Sequence, residues 1–225
     1  MKTTIVLADD HELVGRSICA LLQDEPDFEV IGQCRNGREL LRMVEKLRPN
    51  VAVVDVAMPD MNGIEAALRL RDINRSTRTI MLTSYTDEGY LRGALEARVA
   101  AYVVKSGVAE DLIRAIRLGT SRSPYFSPTV AAIARRVQAG KPTGDSASTD
   151  GAHMLSPRER EVLQLVVEGV PSGEIARRLC ITRDTVKDHR KHIRQKLDIH
   201  TVAELTRYAI AIGMIREHPV VKAKA

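Results

Sequence analysis

Asp9 and Asp10 close one short apolar run, Asp55 stands in a second, and Lys105 follows a third. The runs are Thr4-Ile-Val-Leu-Ala8, Val51-Ala-Val-Val54 and Ala100-Ala-Tyr-Val-Val104. Each has the length and polar boundaries of a buried strand. The pattern places three carboxylates and an ammonium at the carboxyl ends of neighbouring strands, the edge where open parallel sheets bind ligands. Carboxylates crowded together repel one another unless a divalent cation holds them. The residues therefore predict a magnesium site beside a nucleophilic carboxylate.

The segment after Asp55 is Val-Ala-Met-Pro-Asp-Met-Asn-Gly63. Pro59 and Gly63 turn the chain sharply out of the strand. A carboxylate among apolar strand residues is costly without a partner. Asp55 could simply cap this turn, but Asp9, Asp10 and Lys105 argue for chemistry instead.

Strand-like and helical patterns alternate through the first ~120 residues, as in βαβ units. Strands are predicted at Thr4–Ala8, Val30-Ile31, Val51–Val54, 79–82 and 101–104. Val14, Ile18, Leu21 and Leu22 make one helical stripe, and Leu40, Leu41, Val44 and Leu47 a second. A last helix, Ala109–Leu118, carries Leu112, Ile113 and Ile116. Five strands and five helices in this order predict an α/β fold, a doubly wound five-stranded parallel sheet, over residues 1–120. Residues 121–152 read as a linker, helical over 128–139 and then polar and rich in Gly, Ser and Pro.

From residue 153 to 225 the pattern is purely helical and predicts a small all-α domain. Ser156, Pro157 and Glu159 form a helix start with a capping box, and Gly169 ends that helix. A short helix carries Ile175, Ala176 and Leu179. A longer one, capped by Thr182 or Asp184, carries Val186, Ile193 and Leu197. A final helix carries Val202, Leu205, Ala209 and Ile212. The narrow stripe on that last helix fits a seam between two chains, or else the cover of a small bundle. The arrangement contains a helix-turn-helix.

Charge divides along the same boundary. Residues 153–225 hold 14 Lys and Arg against 9 Asp and Glu, while residues 1–152 hold 20 of each. A neutral front and a basic back suggest a polyanion-binding tail, with a solvated basic surface as the plain alternative. There is no Trp, and only two Phe and five Tyr. That argues against a single-strand binder built on base stacking. Cys19, Cys34 and Cys180 are widely spaced and sit among apolar neighbours, which predicts buried free thiols in a reducing cytoplasm. No signal peptide and no membrane span is expected.

Ala8-Asp-Asp-His11, Asp55 to Gly63, Leu82-Thr83 and Ala101-Tyr-Val-Val-Lys105 together resemble the receiver domain of bacterial two-component response regulators. The resemblance implies that Asp55 is the phosphoacceptor, attacking phosphorus to give an aspartyl phosphate. It implies a Mg²⁺ cofactor held by Asp10 directly, by Asp9 through water, by Asp55 and by the backbone carbonyl of Ala57. Lys105 pairs with a phosphoryl oxygen, Thr83 donates its hydroxyl to another, and Tyr102 is the aromatic switch that swings inward as Thr83 moves. Ser84 competes with Thr83, but strand alternation turns it to the other face. Two departures stand out. Ser106 follows Lys105 where many receivers have Pro. Arg98 stands where the family commonly has Gly, so the fourth helix is expected to end differently.

Leu155 to Leu163, Gly169, Glu174-Ile-Ala176 and Thr185 to Ile193 resemble the LuxR-type helix-turn-helix. With a receiver, this points to regulators of the NarL/FixJ type. The exposed basic face of the longer helix suits the DNA major groove. By the family pattern Lys187, Asp188 and Lys191 face the groove, and Arg183 and Thr185 contact phosphates. Asp188 either accepts a hydrogen bond from cytosine or pairs with Lys191 or His192 on the free helix. Gly173 replaces a lysine that commonly contacts phosphate. His189 and His192 lack the further ligands of a zinc site.

The resulting expectation is a cytoplasmic transcriptional regulator, not an enzyme. It accepts phosphate from a sensor histidine kinase, forms a homodimer when phosphorylated, and binds double-stranded DNA, with no membrane partner. A magnesium-dependent phosphohydrolase using Asp55 is the rival enzyme reading. A phosphate-independent regulator controlled by protein contacts is the third.

Overall fold

The computed structural model describes residues 1–86, 88–105, 109–118, 124–139, 155–212 and 214–215. Two compact units divide the chain, residues 1–150 and 151–225. The predicted linker segment 140–153 and Ser106 lie outside the described residues.

In the first unit, strands β1 (Thr3–Ala8), β2 (Phe28–Cys34), β3 (Val51–Val54), β4 (Arg78–Thr83), β5 (Ala101–Val104) and β6 (Tyr125–Phe126) build one parallel sheet. Its order is β2-β1-β3-β4-β5-β6. Six strands replace the five expected. β6 is only two residues long, too short to carry an alternation pattern, and is added to the edge by Tyr125 N–H to Ala100 O and Ser127 N–H to Tyr102 O.

The helices are α1 (Glu12–Gln23), α2 (Gly37–Leu47), α3 (Gly63–Ile73), α4 (Glu88–Glu96), α5 (Ala109–Leu118) and α6 (Pro128–Gln138). Alternate strand residues feed two separate cores. Ile5, Leu7, Val51 and Val53 pack with Ile18 and Leu22 of α1 and Leu112 and Ile116 of α5. Val6, Ala8, Ala52 and Val54 pack on the other side with α2, α3, α4 and α6, through Leu40, Val44, Leu70, Leu91 and Val130 among others. This two-sided burial is why β3 reads as an unbroken apolar run. Asn36 caps α2, accepting from Glu39 N–H, and Asn62 caps α3, accepting from Glu65 N–H.

The end of α4 differs from expectation. Arg98 adopts the left-handed conformation at φ +53° after all. Val99 N–H bonds Ala94 O and Arg98 N–H bonds Leu95 O, so the helix closes with a glycine-like turn despite the side chain.

The second unit holds α7 (Pro157–Val167), α8 (Ser172–Leu179), α9 (Arg183–Leu197) and α10 (Val202–Ala211). The Ser156–Glu159 capping box forms, and Gly169 ends the helix at φ +80°. Leu163, Ile175, Val186, Ile193, Leu205 and Ala209 meet in one core. The stripe on α10 is thus cover for its own bundle. Ala209 is fully buried and Leu205 nearly so; only Val202 stays out, at 46% exposure. A unit this small needs its apolar faces for itself, so Leu205 and Ala209 are taken up by its own core rather than by a seam with a second chain. The three cysteines are free thiols, but Cys180 is exposed at the C-terminus of α8 rather than buried. Burial pushes the Cys34 thiol up to about 12.

Candidate functional site

Strand order reverses between β1 and β3, since β2 lies on the far side of β1. The crevice beyond the carboxyl ends at such a reversal is where ligands bind in open α/β sheets. Asp9 and Asp10 follow β1 there, and Asp55 follows β3 as its first residue beyond the strand. The ladder carries on past the strand end, with Asp55 N–H bonding Ala8 O and Asp9 N–H bonding Cys34 O. Both carboxyl-bearing residues are therefore held by backbone on a rigid edge.

The side chains converge. One ligand atom each from Asp9, Asp10, His11 and Asp55 all lie within 4.8 Å of one another. Asp9 and Asp55 are 1% and 2% exposed, while Asp10 is half-buried. Lys105, from the end of β5, sends Nζ to 2.6 Å from Asp9 Oδ2 and 2.9 Å from Asp55 Oδ2. One ammonium thus balances part of the charge of three carboxylates. The rest leaves room for a small divalent cation, whose hard charge prefers this oxygen-rich set. His11, for which the sequence suggested no role, belongs to the cluster. Its Nδ1 lies 2.8 Å from Asp10 Oδ1, and only its position directly after the paired acids could have signalled this.

The turn after Asp55 is built tightly. Gly63 N–H bonds Val56 O, Met61 N–H bonds Pro59 O, and Asp60 takes φ +64°. A Cβ on Gly63 would stand 2.0 Å from the carbonyl oxygen of Asp55, a backbone atom that cannot yield. Glycine is therefore required where α3 begins against the backbone carbonyl of Asp55. Ala57 lies buried in this turn.

Thr83 ends β4 fully buried, while Ser84 is exposed, as alternation requires. Thr83 Oγ1 accepts from Tyr85 N–H at 3.2 Å. Tyr102 is also fully buried, its hydroxyl donating to Tyr85 O at 3.0 Å, and the Tyr85 ring stacks on Tyr90 at 4.6 Å. Both residues singled out as a switch therefore grip the backbone of Tyr85, one at its amide and one at its carbonyl. The Tyr102 ring already points inward.

The second unit presents the basic residues on α9. Thr182 caps it, accepting from Thr185 N–H at 3.1 Å, and the two hydroxyls lie 2.8 Å apart. Val186 and Ile193 anchor the inner face. Arg183, Lys187, Asp188 and Lys191 are exposed, and Thr185 is half-buried. Among the described residues Asp188 pairs with neither Lys191 nor His192, so the face carries its charges unneutralised by each other. Lys196 Nζ reaches Glu159 Oε2 at 2.7 Å, and Arg190 donates to Ser172 Oγ at 2.9 Å. These contacts fasten the last turn of α9 to α7 and its middle to the start of α8. They join residues far apart in the chain, which single-helix periodicity cannot reveal.

A strand-end carboxylate cage joined to a helix-turn-helix defines a class, the signal-receiving regulators. The family model for the response regulator receiver domain matches residues 5–117, and that for bacterial regulatory proteins of the luxR family matches residues 153–209. The chain belongs to the response regulators that carry a luxR-type helix-turn-helix. It is 32% identical over 202 residues to the nitrate/nitrite response regulator protein NarL of Escherichia coli K12, covering 89% of this chain and 92% of that one. It is 30% identical over 216 residues to the response regulator protein VraR of Staphylococcus aureus, covering 96% and 100%. Among solved structures, RcsB from Salmonella enterica serovar Typhimurium, bound to promoter rprA in the presence of a phosphomimetic, matches with a TM-score of 0.61. That likeness has 26% identity and covers 92% of this chain and 98% of the other. No helix among the described residues is long and apolar enough to cross a membrane.

Proposed function

We propose that this chain is a cytoplasmic, phosphorylation-controlled transcriptional regulator that takes phosphate from a sensor histidine kinase on Asp55. The observation that carries the reading is the position of Asp55: buried, at the sheet's reversal point, with the Lys105 ammonium 2.9 Å away and Asp9 and Asp10 beside it. A carboxylate oxygen of Asp55 bonds to phosphorus as the donor's bond to phosphorus breaks. Lys105 is placed to follow a phosphoryl oxygen and to hold the added charge. Thr83 can give its hydroxyl proton to a second oxygen, since among the described residues its hydroxyl oxygen accepts from the Tyr85 N–H, which leaves the hydroxyl proton to donate. Moving Thr83 pulls on Tyr85, and Tyr102 holds the other end of that residue.

Mg²⁺ fits the donor set: Asp10, Asp55 and the Ala57 carbonyl would hold it directly and Asp9 through water. When bound it neutralises charge on the transferring group.

In the second unit, α9 enters the major groove. Lys187, Asp188 and Lys191 meet base edges while Arg183 and Thr185 meet phosphates. Two chains paired on phosphorylation present two such helices to a two-fold related site, and linkage of two readers raises affinity well above that of one. The test is DNA affinity of the full chain with and without a small-molecule phosphodonor and Mg²⁺. A rise in affinity together with dimer formation is expected; unchanged affinity in a fully phosphorylated sample overturns the reading.

A further inference from the structure

Gly173 and Arg183 come from different helices and fit together as one feature. Gly173 is the second residue of α8, and Arg183 is the first of α9. A Cβ built on Gly173 would lie 2.7 Å from Nη2 of Arg183 and 3.0 Å from both Cζ and Nε. Three guanidinium atoms crowding one point means that the planar group lies against the glycine backbone. Any side chain at 173 would push it away. Arg183 is nonetheless exposed, and among the described residues no carboxylate pairs with it. Glu174, the next residue after the glycine, is already taken by Arg177 at 2.7 Å and Arg178 at 2.8 Å.

An exposed arginine whose guanidinium lies against bare backbone, with its charge uncompensated, is available to an anion. Its fork of donors matches a phosphate oxygen pair. Lys187 lies one turn further along the same helix, so the two cations share a face. On the other side of the α8 start, Arg190 is occupied by Ser172 Oγ at 2.9 Å and acts as a tie.

We infer that Arg183 is a DNA-backbone phosphate contact whose position is set by Gly173, so that the pair acts as a single unit. The inference rests on the reading of α9 as the groove helix and adds to it a contact made at the seam between α8 and α9. It also means that the bare position at 173 is what admits the arginine.

The test is a double-mutant cycle in the full chain, using a fluorescent duplex of mixed sequence as probe and measuring affinity across a salt series. Arg183→Ala should lower affinity roughly five- to tenfold at low salt and flatten the log–log salt slope by about 0.9. Gly173→Ala should lose most of the same factor by displacing the guanidinium, without lowering the melting temperature, because Ala favours a helix over Gly. The double variant should bind no more weakly than Arg183→Ala alone. Gly173→Lys in the Arg183→Ala background should restore the slope. Additive losses overturn the coupling, because the two residues then act independently. Wild-type affinity and slope in Arg183→Ala overturn the contact itself. If Lys187→Ala weakens binding while Arg183→Ala does not, only this inference fails; if neither does, the groove reading of α9 fails with it.

Discussion

Nζ of Lys105 lies 2.9 Å from Oδ2 of Asp55, and the same ammonium is 2.6 Å from Oδ2 of Asp9. A single cation from the end of β5 therefore bridges two buried carboxylates from the ends of β1 and β3. Phosphorylation of Asp55, as proposed, would change what this cation faces, and removal of the cation should be felt both in the fold and in the chemistry.

Lys105→Ala leaves Asp9 and Asp55 buried side by side with no ammonium between them. Breaking a buried ion pair from one side costs about 3–5 kcal/mol. The first unit should unfold at markedly lower denaturant in the absence of divalent cations and recover part of that loss in millimolar Mg²⁺. Denaturation curves with and without the cation check this. A variant as stable as the wild type in chelator would show that the pairing contributes little.

Lys187→Ala and Lys191→Ala should weaken DNA binding while leaving the helical circular dichroism signal unchanged, because both side chains are exposed. Loss of a base-reading lysine should cost about 1–3 kcal/mol and relax sequence preference. A phosphate-only contact would lower affinity evenly across sequences. Full operator affinity in both variants would mean that α9 is not the reader.

The five longer strands, their helices and the strand-end acids were legible because β1 and β3 are continuous apolar runs with charges set at their ends. The Ser156 capping box was legible because it is a local pattern. β6 was not, since two residues carry no period. Nor was the left-handed turn at Arg98, where tertiary closure overrides a preference for glycine. The stripe on α10 was visible, but spacing alone does not say which surface it meets; the structure turns Leu205 and Ala209 into the unit's own core. The contacts of Lys196 with Glu159 and of Arg183 with Gly173 depend on how separate helices pack, and periodicity within one helix is silent on that.

Ala209→Glu should accordingly unfold the second unit. A carboxylate forced into a fully buried site costs on the order of several kcal/mol, and α10 cannot stay docked around it. Loss of the cooperative melting transition of this unit is the expected result. A folded variant that only loses pairing on DNA would place the stripe back at an interface between chains.

Glu159 ties α7 to the last turn of α9. Burial pushes its carboxyl up, but the Lys196 ammonium and the Ser156 amide and hydroxyl outweigh this and hold it below its ordinary value of 4.5. A carboxyl with a depressed folded pKa stabilises fully above its unfolded pKa, and that stabilisation is lost as pH falls through the folded value. The second unit should therefore lose stability as pH drops below about 4.5. Glu159→Gln should be less stable at neutral pH and show a shallower acid dependence. Melting curves from pH 7 to pH 3 that slope equally in both proteins would contradict this account.

The central claim is that Asp55 is the residue that accepts phosphate. The most direct measurement is intact mass, followed by peptide mapping, after treatment of the full chain with a small-molecule phosphodonor and Mg²⁺. The wild type should gain a single phosphoryl group on the peptide containing Asp55. Asp55→Asn should gain none, because an amide is a poor nucleophile. Undiminished labelling of Asp55→Asn, or a label mapped to another residue in the wild type, would contradict the account.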